Sequence, residues 1–347
     1  MSLRLLLLGL LLLACLLPST PARAAAVCTA TADALLPFGN VNSGAAGPTS
    51  GTLNITVTCT TAALSLLATT GVRVCVGIGN GTGGSTTTPW RTMVNGSGDT
   101  LNFQLYNTSN YSQVTGLTPR GVPPAQELTM TYNVPLLTGG SGAQSVQLFA
   151  QIPANQVLAS GSYSSTFSGA SVVLTWAWNE VLLGNATVPA TCNGGATGTN
   201  TASNAFSFNA TATVLPQCGS YLTTTMNFGN VTGGIPANID QTATLTLTCL
   251  KRTAFQVSLD NGQNNPALSS TRRMRTTIGS NNYYLTYELY RDAARSQRWG
   301  NTLNVDTFSG VGTGSAQPLT IYGRVPPVSG QPPAGTYNDL VQVTITY

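Results

Sequence analysis

The residues best suited to chemistry in this chain are its cysteines. Seven occur among 347 residues, and six of them lie beyond an apolar N-terminal run: Cys28, Cys59, Cys75, Cys192, Cys218 and Cys249. An even number of cysteines in an exported chain predicts three disulfides. No pair has CxxC spacing and the chain contains no histidine. A zinc site or a thiol-redox centre is therefore not expected.

Other catalytic chemistry is equally poorly provided for. A Ser-His triad needs a histidine, and the ten acidic residues are scattered without two that the pattern places together. The sequence predicts no enzyme, no cofactor and no metal. Basic residues cluster in "RRMR" at 272–275 and at Lys251 and Arg252. An anionic partner could use them, but we interpret them as solvated strand positions and expect no nucleic-acid partner.

The N-terminus predicts export. Arg4 precedes an apolar run from Leu5 to Leu17, and small residues follow around 22–26. This is the pattern of a secretory signal peptide, which we place at 1–24, and the run is too short to span a bilayer. Charged residues make up only 7% of the chain while Thr, Ser, Asn and Gly are abundant. That composition favours an extracytoplasmic all-β protein.

An internal repeat determines which elements hold the cysteines. "CTATADALLPFGNV" from Cys28 matches "CGSYLTTTMNFGNV" from Cys218, with Phe-Gly-Asn-Val starting ten positions after each cysteine. Downstream, "LNITVTC" ends at Cys59 and "ATLTLTC" ends at Cys249. The repeat thereby predicts the disulfides Cys28–Cys59 and Cys218–Cys249. Cys75 and Cys192 remain and can bridge each other.

The two halves continue to match as short alternating runs separated by Gly, Pro, Asn and Ser. The matched pairs are "FQLY" at 103–106 with "YELY" at 287–290, "FAQIP" at 149–153 with "YGRVP" at 322–326, "SGSY" at 160–163 with "AGTY" at 334–337, and "VVLTWAW" at 172–178 with "VQVTITY" at 341–347. Such spacing is typical of an immunoglobulin-like β-sandwich. The chain is therefore predicted to contain two sandwich domains of one kind.

The ends of the two halves differ. The first half continues with "NEVLLGNATVPATC", which predicts a further strand near Val181 to Val188, whereas the second half stops at its matching strand. The segment 205–218 is strand-like and precedes the second half. We predict an N-terminal domain at 25–192, a flexible linker at 193–204 and a C-terminal domain at 205–347.

These motifs resemble those of a known family. Similar motifs occur in the spore coat protein U domain. In this chain they are the spaced Cys and Phe-Gly, the "VTC"-like closure, "ELY", Trp299-Gly300, "YGRVP", "AGTYND" and the terminal "VTITY". That domain occurs in pilins of archaic chaperone-usher pili. A two-domain chain of this kind resembles the Csu-type tip adhesin, which has an N-terminal binding domain and a C-terminal pilin domain.

The resemblance implies donor-strand complementation, in which the N-terminal strand of an adjacent pilin subunit completes an incomplete sandwich. The accepting and chaperone-binding edge would be Val341, Val343, Ile345 and Tyr347. A periplasmic chaperone and an outer-membrane usher would be transient partners. Because little of the predicted mature chain precedes Cys28, we expect a subunit that accepts a strand, donates none and lies at the pilus tip on the cell surface.

Three segments of the first half place leucines beside turn-forming residues: "TAALSLLATTG" at 61–71, "VPLLTGGSG" at 134–142 and "NEVLLGN" at 179–185. Counting strands, with a short one at 90–93, places all three loops at the pole away from the second domain. The resemblance implies hydrophobic finger loops that attach cells to abiotic or host surfaces and form biofilm. The candidate surface-binding residues are Leu64, Leu66, Leu67, Leu136, Leu137, Val181, Leu182 and Leu183.

Other interpretations stay open at the level of sequence. The leucines could belong to core strands, and both domains could be self-contained with Tyr347 in an ordinary edge strand. The chain could be a secreted carbohydrate-binding module, with Trp90, Tyr111 and Tyr132 available for a polar pocket. It could also be a structural, spore-coat-like surface protein that self-associates without a chaperone.

Overall fold

The computed structural model describes residues 25–63, 67–85, 90–266 and 269–347, and the predicted signal peptide lies outside this part of the chain. The fold is nearly all β, with 53% strand and 1% helix. Its described helix is a 3₁₀ turn at Gly169–Ser171. Within the described ranges, no helix has the length and apolarity needed to cross a membrane.

Twelve strands of the first sandwich lie in the described residues: β1 Ala26–Ala32, β2 Leu35–Asn40, β3 Thr49–Thr61, β4 Ala68–Ile78, β5 Arg91–Asn95, β6 Thr100–Tyr106, β7 Gln126–Val134, β8 Gly140–Ile152, β9 Gly161–Phe167, β10 Val172–Leu182, β11 Gly198–Ser203 and β12 Phe208–Val214. One sheet has the order β1-β3-β8-β6-β5-β9-β12-β2 and the other β11-β10-β4-β7. The predicted short strand at 90–93 corresponds to β5.

Alternation of side chains forms the core of the first sandwich. In β3, Leu53, Ile55 and Val57 are buried while the threonines between them point outward. Strand β4 is buried on both faces, because its valines face the core and irregular segments cover its other face. A Cβ at Gly71 would lie 2.7 Å from the carbonyl oxygen of Thr187, so only glycine permits this close cover.

The described part of the second sandwich has eight strands: β13 Cys218–Thr223, β14 Ile239–Cys249, β15 Ala254–Leu259, β16 Arg272–Ile278, β17 Asn281–Tyr290, β18 Phe308–Val311, β19 Ala316–Val325 and β20 Val343–Thr346. Its sheets have the orders β13-β14-β19-β17-β16 and β18-β15-β20. Trp299 is fully buried between them, and its Nε1 donates to the carbonyl oxygen of Val257 at 2.8 Å. The predicted all-β fold with two sandwiches is confirmed.

All three predicted disulfides are present. Cys28 pairs with Cys59 and Cys218 with Cys249, each across two neighbouring antiparallel strands. Cys75 on β4 pairs with Cys192. The last bond closes the segment 183–192 over the outer face of β4, where the Nε of Arg73 also donates to the carbonyl oxygen of Pro189 at 2.6 Å.

The boundary between the halves differs from the prediction. The segment 193–204 is not a free linker, because β11 pairs with β10 from Val173 to Trp178. Most of the segment 205–218 does not join the second sandwich either, because β12 pairs with β9 and β2 of the first, and only its end at Cys218 enters β13. The strand predicted near Val181 to Val188 is absent, since residues 183–190 form no strand.

A small polar contact joins the two sandwiches. The carboxylate of Asp99 accepts hydrogen bonds from the Nζ of Lys251 at 2.6 Å and from the Nε of Arg252. The backbone N–H of Ser160 donates to the carbonyl oxygen of Lys251 at 2.9 Å. The bonds from Arg252 and Lys251 hold the pKa of Asp99 below its ordinary value.

Candidate acceptor groove and candidate adhesive pole

Strand β12 completes the first sandwich, although it directly precedes the second sandwich in the chain. It lies between β9, to which it is antiparallel with Phe208 opposite Phe167, and β2, to which it is parallel with Asn209 opposite Leu35. Four of its side chains point inward and are buried: Phe208, Ala210, Ala212 and Val214. The outward positions are polar. This is the period-2 pattern of a strand that fills a gap in one face of a sheet.

Burial of this strand contributes substantially to the first sandwich. The ring of Phe208 stacks on that of Phe167 with centroids 4.4 Å apart and planes within 3°. Full burial of an aromatic or branched side chain contributes roughly 1.5 to 3 kcal/mol. Phe208 and Val214 together therefore contribute about 3 to 6 kcal/mol.

The corresponding gap in the second sandwich is open. By the sequence repeat, Met226 and Phe228 match Leu36 and Phe38 of β2, and Tyr337 matches Tyr163 of β9. Between 223–228 and 337–341 lies a cavity of about 300 Å³. Apolar side chains that face it are Met226, Phe228, Leu289, Ile321, Val341 and Val343.

Burial at matched positions differs accordingly. Val41, which follows β2, is 3% exposed, whereas its repeat partner Val231 is 47% exposed. The backbone N–H of Val41 donates to the carbonyl oxygen of Thr213 in β12 at 2.8 Å. Residues 224–230 form no strand, although the matching β2 does. Both differences have one physical reason, because β12 supplies β2 with its neighbour and the second sandwich has no such strand among its described residues.

The predicted donor-strand edge lies partly on this groove. Val341 and Val343 line it, and Ile345 packs against the core of the second sandwich. Tyr347 is 56% exposed. Among the described strands, β20 pairs only with β15. Its counterpart β10 in the first sandwich pairs with β4 on one edge and with β11 on the other, so the edge of β20 that corresponds to the β11 side is unpaired. Sequence reasoning missed the opposite wall at 223–228, which the repeated Phe-Gly-Asn-Val motif marks.

A polar pair lies at the base of the groove. The hydroxyl of Tyr287 donates to Oδ2 of Asp339 at 2.7 Å, and both residues line the cavity. Burial, together with this bond to a carboxylate, raises the pKa of Tyr287 well above its ordinary value. The phenol therefore stays protonated and acts as a hydrogen-bond donor.

Each sandwich contains a buried arginine at the same structural position, Arg91 in the first and Arg272 in the second. The prediction that 272–275 are solvated strand positions is therefore wrong for Arg272. Arg272 is fully buried and donates to the carbonyl oxygens of Asp260, Leu259 and Trp299 and to the carboxylate of Glu288. Arg91 makes the matching bonds to the carbonyl oxygens of Gly79, Ile78 and Thr115. Burial lowers the pKa of Arg91 to about 10. A planar guanidinium suits this task because it satisfies several carbonyls at once.

The predicted surface loops meet at one end of the first sandwich. Ala68, at the start of β4, lies opposite Val134 at the end of β7 and opposite Leu182 at the end of β10. The backbone N–H of Leu183 donates to the carbonyl oxygen of Leu67 at 2.9 Å. All three loops are therefore neighbours. Leu64 and Leu66 lie outside the described residues.

The described candidates at this end are exposed rather than part of the core. Exposed fractions are 55% for Leu67, 46% for Leu136, 76% for Leu137, 37% for Val181, 39% for Leu182 and 73% for Leu183. Leu137 and Leu183 have φ values of 67° and 53°. Left-handed backbone at non-glycine residues costs energy, so these two leucines are held outward at a cost. We call this set the apolar pole.

The apolar pole lies at the far end from the second sandwich. Thr61 of β3 is opposite Gly140 of β8 at the apolar pole, and Thr49 is opposite Ile152 at the other end. The loop after Ile152 leads to Ser160, which contacts the second sandwich. Strand β3 has 13 residues. At 3.3 Å per residue, the two ends are roughly 40 Å apart.

Two of the three aromatic residues considered for a sugar pocket contact other residues of the first sandwich. Tyr132 is buried and its hydroxyl is within 2.8 Å of the Thr61 hydroxyl. Tyr111 packs edge-on against Tyr106 and Phe149. The side chains of Tyr111 and Tyr132 are thus occupied by contacts within the sandwich.

The chain is similar to solved structures that contain pilus tip adhesins. One is the CsuC-CsuE chaperone-tip adhesion subunit pre-assembly complex from archaic chaperone-usher Csu pili of Acinetobacter baumannii, with 18% identity, 93% of this chain and 100% of that chain covered and a TM-score of 0.40. Another is the CupB6 tip adhesin from Pseudomonas aeruginosa, with 11% identity, coverage of 92% and 94%, and a TM-score of 0.32.

A curated relative and a family model match the sequence itself. Protein U of Myxococcus xanthus is 36% identical over 134 residues, which cover 35% of this chain and 72% of Protein U. The model of the Spore Coat Protein U domain matches residues 14–169 and again 204–344. The second match begins before β12, so that strand belongs by sequence to the second repeat while it completes the first sandwich. On these two matches, the chain belongs to the Spore Coat Protein U domain family.

Proposed function

We propose that this protein is a surface-attachment subunit of a chaperone-usher pilus. Its second sandwich accepts the N-terminal strand of an adjacent pilin, and its apolar pole attaches cells to abiotic or host surfaces during biofilm formation. The subunit occupies the pilus tip on the cell surface after secretion through the periplasm. A periplasmic chaperone and an outer-membrane usher bind it transiently during secretion and assembly.

One observation carries the proposal. The same groove between matched segments is filled by β12 in the first sandwich and open in the second. Strand β12 belongs by family match to the repeat that follows it, so within this chain one repeat already donates its N-terminal strand to the repeat before it. A neighbouring subunit that repeats this step would fill the second groove. Strand addition of this kind combines main-chain hydrogen bonds with pockets for alternate side chains.

The open groove also explains a need for a chaperone. It exposes apolar surface that the first sandwich buries, and β20 presents an unpaired edge beside it within the described residues. Exposed edges and apolar grooves promote aggregation. A chaperone strand that occupies the groove until the pilin strand replaces it covers this apolar surface.

Attachment through the apolar pole follows from its position and chemistry. Its described leucines and Val181 are exposed together, some 40 Å from the junction with the second sandwich by strand length. Contact of several such side chains with an apolar surface removes water from both. No specific ligand geometry is needed, which suits attachment to plastics as well as to apolar host surfaces.

The attachment proposal is tested with purified full-length protein, stabilised by its chaperone, on polystyrene beads. We expect the four-site variant with Leu136, Leu137, Leu182 and Leu183 each replaced by serine to lose most bead binding while unfolding at an unchanged denaturant concentration. The matched control is Val157→Ser, which removes an apolar side chain that is 89% exposed at the opposite end. Equal binding by the control and the four-site variant would reject the apolar pole as the attachment surface.

The assembly proposal is tested by co-expression. With a pilus chaperone from the same family, the chain should accumulate in the periplasm as a 1:1 complex, whereas the chain alone should aggregate or be degraded. Stable monomer without a chaperone would favour a self-contained surface protein instead.

A further inference from the structure

The open groove of the second sandwich has a polar centre that the filled groove of the first lacks. Oδ2 of Asp339 accepts one hydrogen bond, from the Tyr287 hydroxyl at 2.7 Å. Oδ1 accepts from the backbone N–H groups of Gln263 at 3.0 Å and Asn264 at 3.2 Å, and from Nδ2 of Asn264 at 3.0 Å. Each carboxylate oxygen has two lone pairs, so Oδ2 retains one for a further donor.

The matched positions in the first sandwich are different in kind. The repeat places Phe103 at the position of Tyr287, so the hydroxyl is missing. It places Ser165 at the position of Asp339, and the Ser165 hydroxyl oxygen already accepts from the backbone N–H of Gly83 at 3.0 Å. The residue of β12 opposite Ser165 is Ala210, which is fully buried. In the first sandwich, a serine whose hydroxyl is already hydrogen-bonded thus lies opposite a small apolar side chain.

This register transfers to the second groove. The isolated bridge between Arg275 and Asn338 matches the pairing of Val94 with Ser164, which confirms the alignment at this strand. In the first sandwich, Ala210 lies opposite Ser165 and beside Leu36. A strand bound in the second groove with the register of β12 would therefore place one inward residue opposite Asp339 and beside Met226. Directly opposed residues on one face have Cβ atoms about 5 Å apart. That distance is within reach of a short hydrogen-bonding side chain.

We infer that the second sandwich selects a donor strand with a hydroxyl or amide side chain at the position equivalent to Ala210. This inference rests on the proposed strand acceptance and names the partner's chemistry. A hydroxyl there donates to Oδ2 of Asp339. An apolar residue of the same shape removes water from that oxygen and returns no hydrogen bond, which is costly for a charged acceptor. The polar pair therefore discriminates between donor strands that share an apolar alternation.

The test appends a donor strand to the full-length chain. A flexible Gly/Ser linker after Tyr347 is followed by a copy of residues 198–214, with either threonine or valine at the position of Ala210. The two side chains have nearly the same shape and differ in the hydroxyl. The equilibrium constant for unfolding of the second sandwich is measured by hydrogen exchange of β14 and β19. We expect the threonine version to be more stable by at least tenfold, about 1.4 kcal/mol at 25 °C.

A background variant gives the internal control. Replacing Tyr287→Phe and Asp339→Ser converts the centre to the set found in the first sandwich, and the threonine preference should fall below twofold. If valine stabilises as well as threonine in the unmodified background, or if the preference persists in the converted one, the inference is overturned. If neither appended strand protects the second sandwich relative to the unextended chain, strand acceptance itself fails.

Discussion

Replacement of Phe208 by alanine tests whether a strand that belongs by sequence to the second repeat stabilises the first sandwich. The Phe208 side chain is 2% exposed, stacks on Phe167 with ring centroids 4.4 Å apart and lies 6.4 Å from the ring of Phe206. Truncation of a buried phenylalanine costs about 3 to 5 kcal/mol through lost transfer energy and the cavity left behind. Because the free energy of unfolding of a domain is about 5 to 15 kcal/mol, this loss is a large part of the total stability.

The effect should be confined to one sandwich. Hydrogen exchange followed by mass spectrometry reports the opening free energy of β3 and β8 separately from that of β14 and β19. We expect the first pair of strands to lose about 3 to 5 kcal/mol and the second pair to change by less than about 0.5 kcal/mol.

The matched control is Asn209→Ala, which alters the adjacent outward position. Asn209 is exposed and accepts one hydrogen bond from the Thr166 hydroxyl at 2.7 Å, so a loss of about 1 kcal/mol or less is expected. A loss in β14 and β19 instead, or no change in β3 and β8, would refute the assignment of β12 to the first sandwich.

Two further predictions concern buried and interfacial charge. Arg272→Met should destabilise the second sandwich by about 3 to 5 kcal/mol in urea unfolding, since it leaves three carbonyls without their donor and removes one of the two guanidinium groups bound to Glu288; a loss under about 1 kcal/mol would contradict a stabilising role of Arg272. Asp99→Asn should remove a contribution on the order of 1 kcal/mol to docking of the two sandwiches. Because the folded pKa of Asp99 lies below its ordinary value of 3.8, that contribution is present at pH 7, starts to decline below about pH 4 and is lost as the pH falls through the lower folded pKa. Small-angle scattering at pH 7 and pH 2.5 should show that the radius of gyration of the wild type increases in acid, whereas that of Asp99→Asn changes less. An equal change in both proteins would reject the prediction.

The apolar pole was largely predictable because strand direction alternates along a sandwich. Once the short strand β5 is counted, the loops that hold Leu67, Leu136 and Leu183 must emerge at one end. Alternation alone could not tell exposed leucines from the ends of core strands. That distinction depends on how far each strand extends, which the pairing of Ala68 with Val134 and Leu182 determines.

The buried arginines were not predictable from their charge. A cluster such as 272–275 resembles a solvated face, since arginine is rarely buried without partners. Here the partners are three backbone carbonyls from two separate segments, Leu259 and Asp260 in one and Trp299 in the other. Their convergence is a property of the folded chain. The equivalence of Arg91 and Arg272 likewise comes from strand register, since they lie opposite the matched residues Phe103 and Tyr287.

By itself, the sequence determined the repeat, the three disulfides and the all-β fold. Each of these follows from local periodicity or from comparison of one half with the other. Only the tertiary structure decided that β12 completes the first sandwich, that 193–204 contains a paired strand and that 183–190 covers β4 without forming one. The physical reason is that side-chain alternation specifies which face of a strand is apolar, whereas the partner that covers this face is chosen by contacts between segments distant in the chain.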